Sequence, residues 1–284
     1  MIMKTIDNII FISLCAVAVI ACSKQEAAPD TREWVLIEEK SDDFDSWNPD
    51  KWGTDLWVTS TVYDFKDENV SVEDGYLKLT VKKEESGNMH YTAGRVKSKF
   101  KVGGNSALEI RARLVKHAAH VSNAIWISDA PTPWANPNLE IDIVETMPDD
   151  TWPDWKFSSG ILYWWLKAEG IAIPDWVNFP TNQSWAQHQL ALTYYRDVES
   201  LSRDFHTFRL ERYDGHIRMY VDGDLYWDRD WKRAVDKPAY FKWALEMERP
   251  VIMSIESHSG IPVDEELPGE FLIDYVHYYE LRQK

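Results

Sequence analysis

The chain is poor in cysteine and in positive charge. Its two cysteines, Cys15 and Cys22, both precede residue 23, so the remainder has no thiol for a disulfide, a cysteine–metal site or thiol catalysis. Lysine and arginine number 31 against 47 aspartates and glutamates, a formal net charge of −16. Because nucleic acid is bound by basic surfaces, this balance argues against a nucleic-acid partner. Residues 9–21 are an apolar run that is short for a membrane span, and no other segment is apolar for long enough to cross a bilayer.

Residues 1–22 have the pattern of a signal segment. Lys4 precedes the apolar run 9–21, which is short for a membrane span and leads into the letters VIAC. This ending resembles a bacterial lipoprotein signal, which implies lipidation of Cys22 and a polar tether over residues 23–30. It also implies an outer-membrane lipoprotein, periplasmic or at the cell surface, that meets the membrane only through its N-terminal lipid. The alternative is an ordinary secretory signal that contains a cysteine.

Alternating apolar residues recur throughout residues 31–284. Leu77, Leu79 and Val81, for example, share one face of a predicted strand. The Asp-Gly pairs at 214–215 and 222–223 predict hairpin turns between such strands. Many short antiparallel strands with turn signals predict a single all-β domain over residues 31–284. Its expected architecture is a two-sheet β-sandwich of the jelly-roll type.

The segment EIDIVE, residues 140–145, places three acids among branched apolar residues. Each charge moved out of water costs several kcal/mol unless something offsets it, so such acids are not expected on a purely structural strand. Side chains alternate along a strand, so Glu140 and Asp142 point the same way, whereas Glu145 is out of phase. One extra residue, most simply at Val144, would form a β-bulge and return Glu145 to the face of the other two. The sequence therefore predicts three acids on the floor of an active site.

The strand pattern and the acid segment together resemble glycoside hydrolase family 16. The resemblance extends from FDSWNPDKW through NVSVEDGYLKLTVKK and ALEIRARL to the closing FLIDYVHYYEL, and Glu140-x-Asp142-x-x-Glu145 is similar to the bulged form of the family's catalytic signature. It implies that Glu140 is the nucleophile, that Glu145 is the general acid/base and that Asp142 orients and tunes Glu140. It also implies a concave substrate groove, a monomer and no cofactor for catalysis. A retaining glycosidase needs two carboxyl groups about 5–5.5 Å apart, one ionised and one protonated.

Other functions for the acid segment stay open at this point. Three carboxylates could hold Ca²⁺, which takes oxygen ligands, although calcium sites usually lie in loops. A non-catalytic carbohydrate-binding module or lectin would share a sandwich rich in aromatic residues, but would not need the whole row of acids. A polysaccharide lyase would need a different base and a group that neutralises a uronate.

The segment PVIMSIESHSG, with Glu256 near its end, resembles the branch of the family that hydrolyses red-algal galactans. The expected substrate is therefore a β-linked galactan such as agar, porphyran or carrageenan, cut internally with retention. The segment SSGILYWW lacks the histidine expected after the catalytic strand in many agarases and porphyranases, which leaves the substrate open. The main alternative is an endo-β-1,3-glucanase of the laminarinase type.

Aromatic and basic residues are the expected substrate contacts. The chain has 15 tryptophans, and Trp126 matches a family tryptophan beneath the sugar ring being cleaved, so its truncation is predicted to weaken binding far more than stability. Trp57, Trp134 and Trp164 either stack on sugars or pack in the core. Arg95 is the expected basic contact, and Glu256 is expected to bind substrate. Asp274 resembles a family position that binds a structural Ca²⁺, the alternative being an ordinary polar edge residue.

Overall fold

The predicted strands assemble into two β-sheets in the computed structural model, which describes residues 31–129, 139–149, 152–163, 200–230, 246–258 and 260–284. Within these ranges the strands are β1 (Arg32–Leu36), β2 (Trp52–Gly53), β3 (Tyr63–Phe65), β4 (Val70–Glu73), β5 (Tyr76–Ser86), β6 (Met89–Ala93), β7 (Arg95–Ser98), β8 (Ser106–Arg113), β9 (Ser122–Ile127), β10 (Leu139–Glu145), β11 (Ser158–Tyr163), β12 (His206–Tyr213), β13 (His216–Val221), β14 (Asp224–Asp230), β15 (Val251–Glu256) and β16 (Gly269–Gln283). Short 3-10 helices are Glu38–Lys40, Asp67–Asn69, His117–Ala119 and Asp264–Glu266.

The larger sheet has ten strands and the smaller sheet has six. The larger one runs in the order β14-β13-β12-β8-β16-β5-β6-β3, with β1 beside β16 and β4 beside β5. The smaller one runs in the order β11-β10-β9-β15-β7-β2. All of these pairings are antiparallel except the one between β3 and β6. The predicted all-β, two-sheet sandwich is confirmed.

One continuous apolar core fills the space between the sheets. Leu77, Leu79 and Val81 of the larger sheet are fully buried in it, as their alternation predicted. Met253 and Ile255 of the smaller sheet belong to the same cluster. Burial of such side chains is worth about 1.5–3 kcal/mol each, which makes the alternating pattern decisive for which face turns inward.

The Asp-Gly pairs form the predicted hairpins. Asp214 and Gly215 have φ of 52° and 76°, and Asp222 and Gly223 have φ of 50° and 86°. Positive φ at both central residues suits the two-residue hairpin turn, whose twist matches that of the strands it joins. These turns connect β12 to β13 and β13 to β14.

Residues Arg32–Lys284 form one compact unit. The signal segment and tether expected over residues 1–30, including Cys22, lie outside the described residues. None of the helices in the described ranges has the length and hydropathy needed to span a membrane.

Candidate active site

Strand β10 bulges between Asp142 and Glu145. Asp142 pairs with Trp126 of β9, but the next residue of β9, Ile125, pairs with Val144. The additional residue opposite β9 is therefore Ile143, one position before Val144, where the sequence most simply placed it. Ile143 and Val144 are 1% and 0% exposed, and both belong to the inter-sheet core.

Hydrogen bonds satisfy the backbone that the bulge takes out of the sheet. The Ser159 hydroxyl of the neighbouring β11 donates to the Ile143 carbonyl oxygen over 2.7 Å. The hydroxyl of Tyr226 lies 2.8 Å from that of Ser159. An unpaired buried carbonyl is costly, so these two hydroxyl groups support the bulged conformation.

The bulge leaves the three predicted acids on the face of β10 opposite the core. They line one cleft with about 340 Å³ of empty space. The lining residues are Val58, Ala124, Trp126, Glu140, Asp142, Glu145, Glu256 and His258. The predicted substrate residues Trp126 and Glu256 therefore lie in the same cleft as the acids.

Asp142 is the most deeply buried of the acids, with 8% of its surface exposed. Burial raises its pKa well above the usual 3.8, and the nearby carboxylates of Glu140, Glu145 and Glu256 raise it further. Desolvation and like charges both disfavour the ionised form. The protonated form of Asp142 is therefore favoured, and in that form it can donate a hydrogen bond to a neighbouring carboxylate.

The environment of Glu145 favours a general acid. Burial raises the pKa of its carboxyl, while His258 and the hydroxyl of Ser158 act in the opposite direction. The imidazole Nε2 of His258 lies 3.3 Å from Glu145 Oε1. A carboxyl group with a raised pKa holds its proton to higher pH, as protonation of a leaving group requires.

Glu256 contributes a fourth acid to the cleft. Burial raises the pKa of Glu256, and the nearby carboxylate of Glu145 raises it further. A hydrogen bond from Ser254 and the basic side chains of His258 and Arg95 act in the opposite direction. Ser254 also accepts a hydrogen bond of 3.0 Å from the indole nitrogen of Trp126. These two consecutive hydrogen bonds, from Trp126 to Ser254 and from Ser254 to Glu256, fix the orientation of the indole.

Trp126 is packed more tightly than the sequence suggested. It is only 7% exposed and forms a small apolar cluster with Leu56, Ala124 and Ile252. Trp57, which is half-buried, meets it edge-to-face at a centroid distance of 6.0 Å. Truncating a buried tryptophan to alanine costs about 3–5 kcal/mol, so a loss of stability is expected beside any loss of binding. That the loss of binding exceeds the loss of stability stays a prediction.

Arg95 lies beside the cleft rather than in its lining. It pairs across strands with Ser254, and its guanidinium carbon lies 4.3 Å from the centroid of the Phe65 ring. Its Nη2 atom donates a hydrogen bond of 2.9 Å to the carbonyl oxygen of Leu56. Its Nε and Nη1 atoms are buried without a hydrogen-bond partner among the described residues. Direct contact between Arg95 and a substrate remains a prediction.

Other sequence-based expectations fall elsewhere. Trp134 and Trp164 lie outside the described residues. Asp274 forms an ion pair with Arg111 on the larger sheet. Its carboxylate therefore faces a cationic side chain, whereas a calcium site would place further oxygen ligands beside it. No cluster of three or more His, Cys, Asp or Glu side chains suited to a metal occurs among the described residues, and calcium at Asp274 remains a prediction.

His258 is the site residue that the sequence did not single out. It follows Glu256 by two positions, a spacing that keeps side chains on one face of a strand. Because it lies beyond the last residue of β15, that signal alone does not fix its direction. Its contact with Glu145 comes from the path of the chain after the strand.

Comparison with known proteins gives relatives of low sequence identity. No family model matches the chain. It is 23% identical over 277 residues to the clotting factor G alpha subunit of Tachypleus tridentatus, covering 93% of this chain and 36% of that protein. It is 26% identical over 254 residues to the kappa-carrageenase of Pseudoalteromonas carrageenovora, covering 81% and 61% respectively. The chain thus spans about a third and about three fifths of these two relatives.

Solved structures match the sandwich over most of its length. The laminarinase from Rhodothermus marinus superposes with a TM-score of 0.69 at 23% identity, covering 89% of this chain and all of that one (100%). The β-agarase A from Zobellia galactanivorans superposes with a TM-score of 0.66 at 17% identity, covering 90% and 95%. The chain shares their fold.

Proposed function

We propose that this chain is a retaining endo-β-glycosidase of the family 16 type. The observation that carries the proposal is the bulge of β10, which turns Glu140, Asp142 and Glu145 onto one face and into one cleft. The relatives and structural neighbours include a carrageenase, an agarase and a laminarinase, and all three names describe hydrolysis of polysaccharides. A purely carbohydrate-binding surface would have no use for buried acids with raised pKa values.

In the proposed reaction, Glu140 attacks the anomeric carbon while Glu145 gives its proton to the departing glycosidic oxygen. The resulting glycosyl ester on Glu140 is then attacked by water, whose proton returns to Glu145. Asp142, kept neutral by burial and by its acidic neighbours, donates a hydrogen bond that orients Glu140. The cycle consumes one water and restores both glutamates to their starting protonation.

The proposed substrate class is a β-linked galactan of the red-algal type. The observation in its favour is the position of Glu256, whose carboxyl group lines the same cleft as the catalytic acids. The segment around Glu256 is the part of the sequence that resembles the galactan-cutting branch. The alternative within the same fold is an endo-β-1,3-glucanase, which the likeness to the Rhodothermus marinus laminarinase favours.

A substrate panel tests both levels of the proposal. The purified protein would be incubated with agarose, porphyran, carrageenans and laminarin, and the products would be sized by chromatography. Galactan oligosaccharides of several lengths support the galactanase; products from laminarin alone support the glucanase. No products from any polymer, together with retained binding to one of them, would favour a carbohydrate-binding module.

The location of the protein is a separate proposal that rests on the N-terminal segment alone. Lipidation at Cys22 would tether the catalytic unit to the outer membrane through residues 23–30. Labelling of cells with a radioactive fatty acid should mark the wild-type protein, and Cys22→Ala should remove the label. A labelled Cys22→Ala protein would contradict this assignment.

A further inference from the structure

His258 stands at the mouth of the acidic cleft, next to the carboxyl group that the proposed reaction uses as its acid. Its Nε2 atom is 3.3 Å from Glu145 Oε1. The His258 side chain is 47% exposed, whereas that of Glu145 is only 19% exposed. The imidazole therefore contacts both the buried carboxyl and the solvent.

Among the described residues around Glu145, His258 is the basic neighbour. On its own strand, Glu140 and Asp142 are acids, and on β15 Glu256 is a further acid. On β9 the cross-strand partner is Ala124, which carries no charge. On β11 the partner is Ser158, whose hydroxyl lies 3.5 Å from Glu145 Oε2.

We propose that His258 is a positioning residue that holds the carboxyl group of Glu145 through a hydrogen bond at Nε2 during both halves of the double displacement. The proposal rests on the glycosidase function given above. When Glu145 is protonated, the neutral imidazole accepts its hydrogen bond at Nε2. When Glu145 has given its proton to the leaving oxygen, the half-exposed imidazole takes up a proton from solvent, and the imidazolium donates to the carboxylate at the same contact. That proton returns to solvent when the attacking water reprotonates Glu145.

This contact has a consequence for the chemistry of the site. Glu145 must be a carboxylic acid in the first half-reaction and a carboxylate base in the second, so one environment has to suit both forms. Burial raises the pKa of Glu145 and so favours the protonated form, whereas a positive charge on His258 favours the ionised form. Without His258, Glu145 would retain its proton more strongly and would be a poorer proton acceptor.

Two substitutions with opposite electrostatic effects test the proposal. His258→Gln removes the charge, so the pKa of Glu145 should rise and the alkaline limb of the kcat/KM profile should move to higher pH. His258→Lys keeps a permanent positive charge, so the same limb should move to lower pH. Both variants should leave the acid limb, assigned to Glu140, where it is in the wild type.

A matched control is His90→Gln. His90 pairs with Glu85 at 2.8 Å on the β5–β6 hairpin of the larger sheet, so the control breaks another histidine–glutamate contact away from the cleft. Its pH profile should equal that of the wild type. Opposite displacements in the two His258 variants support the proposal; equal displacements, or none, overturn it.

The design separates this proposal from the proposed function. If the wild-type protein hydrolyses a polysaccharide and the His258 variants keep its pH profile, only the role of His258 is refuted. If the wild-type protein hydrolyses none of the polysaccharides, the glycosidase function itself fails. Thermal denaturation of each variant shows whether it is folded before its kinetics are interpreted.

Discussion

Ser159 donates a hydrogen bond to the carbonyl oxygen of Ile143, the residue by which β10 exceeds its neighbour β9. This bond joins the strand that carries the acids to the strand beside it. The direction of Glu145 depends on the bulge, because a regular strand would turn its side chain into the core. The bulge and its hydroxyl support are therefore part of the active-site geometry.

Removing this hydroxyl should lower both stability and activity. Ser159→Ala removes the shorter of two hydroxyl contacts to the carbonyl oxygen of Ile143 and leaves the longer one, from Tyr226 at 3.4 Å. We expect the free energy of unfolding to fall by about 1–3 kcal/mol and kcat/KM to fall by roughly tenfold or more as Glu145 shifts. Urea denaturation and steady-state kinetics measure the two effects.

The matched control is Ser98→Ala, in the same sheet. The hydroxyl of Ser98 donates a hydrogen bond of 2.7 Å to the carbonyl oxygen of Phe100 and accepts one of 2.9 Å from the amide of Val251. Its loss should therefore also lower stability. It does not line the cleft, so kcat/KM should stay close to the wild-type value. Equal losses of activity in both variants would argue against a specific role for the bulge support.

The two proposed catalytic glutamates should be separable by chemical rescue. Glu140→Ala and Glu145→Ala are each expected to lower kcat by roughly a thousandfold or more while remaining folded. With added azide, the nucleophile variant should form a glycosyl azide of inverted configuration, and the acid/base variant one of retained configuration. The exposed Glu265 serves as control, and Glu265→Ala should retain full activity. Full activity in either active-site variant would refute the assignment.

Asp142→Asn should stabilise the protein while impairing catalysis. The folded-state pKa of Asp142 is raised, so its contribution to stability is complete below the unfolded pKa and is lost as pH rises through the folded pKa. Asparagine cannot ionise, so the variant's advantage in free energy of unfolding should be larger at pH 8 than at pH 5. Urea denaturation at both pH values measures this difference.

Asp264→Asn should change the free energy of unfolding in the opposite direction to Asp142→Asn. Hydrogen bonds from Lys83 and Tyr91 lower the pKa of Asp264, so its contribution is present above the unfolded pKa and is lost as pH falls through the folded pKa. This variant should be less stable than the wild type at neutral pH. A destabilised Asp142→Asn protein at pH 8 would contradict the burial of a neutral carboxyl in the cleft.

Trp57 offers a cleaner test of sugar stacking than the buried Trp126. It is half-buried and packs edge-to-face on Trp126, so Trp57→Ala should weaken oligosaccharide binding by about 1 kcal/mol, roughly fivefold, with modest loss of stability. Neither Trp57 nor Trp47 lines the cleft, but Trp57 packs on Trp126, which does; Trp47, 37% exposed, is therefore the control. Isothermal titration with an inactive Glu140→Ala background measures both. Equal affinities for the two variants would remove Trp57 from the binding surface.

The sequence predicted what depends on local periodicity. Alternation at Leu77, Leu79 and Val81 identifies an inward face, and the same period applied to residues 140–145 requires a bulge to align Glu145. Which residue is extra, Ile143 rather than Val144, depends on pairing with β9 and is not encoded locally.

The unpredicted features depend on contacts between distant segments. Trp126 is buried because Leu56, seventy positions earlier, packs against it. His258 reaches Glu145 only because the chain turns after β15 and brings two strands' ends together. The two-residue spacing from Glu256 to His258 does not fix the direction of the imidazole, and no residue next to Trp126 indicates its burial. Neither the burial nor the pairing therefore follows from the pattern alone.

The stereochemistry of hydrolysis tests the central claim most directly. Proton NMR of the first product formed from a polysaccharide that the protein cuts would report the anomeric configuration before mutarotation. Two successive displacements at the anomeric carbon, the first by Glu140 and the second by water, predict that the first product is the β anomer, as in the substrate. An initial α anomer would show a single displacement and would contradict Glu140 as the nucleophile.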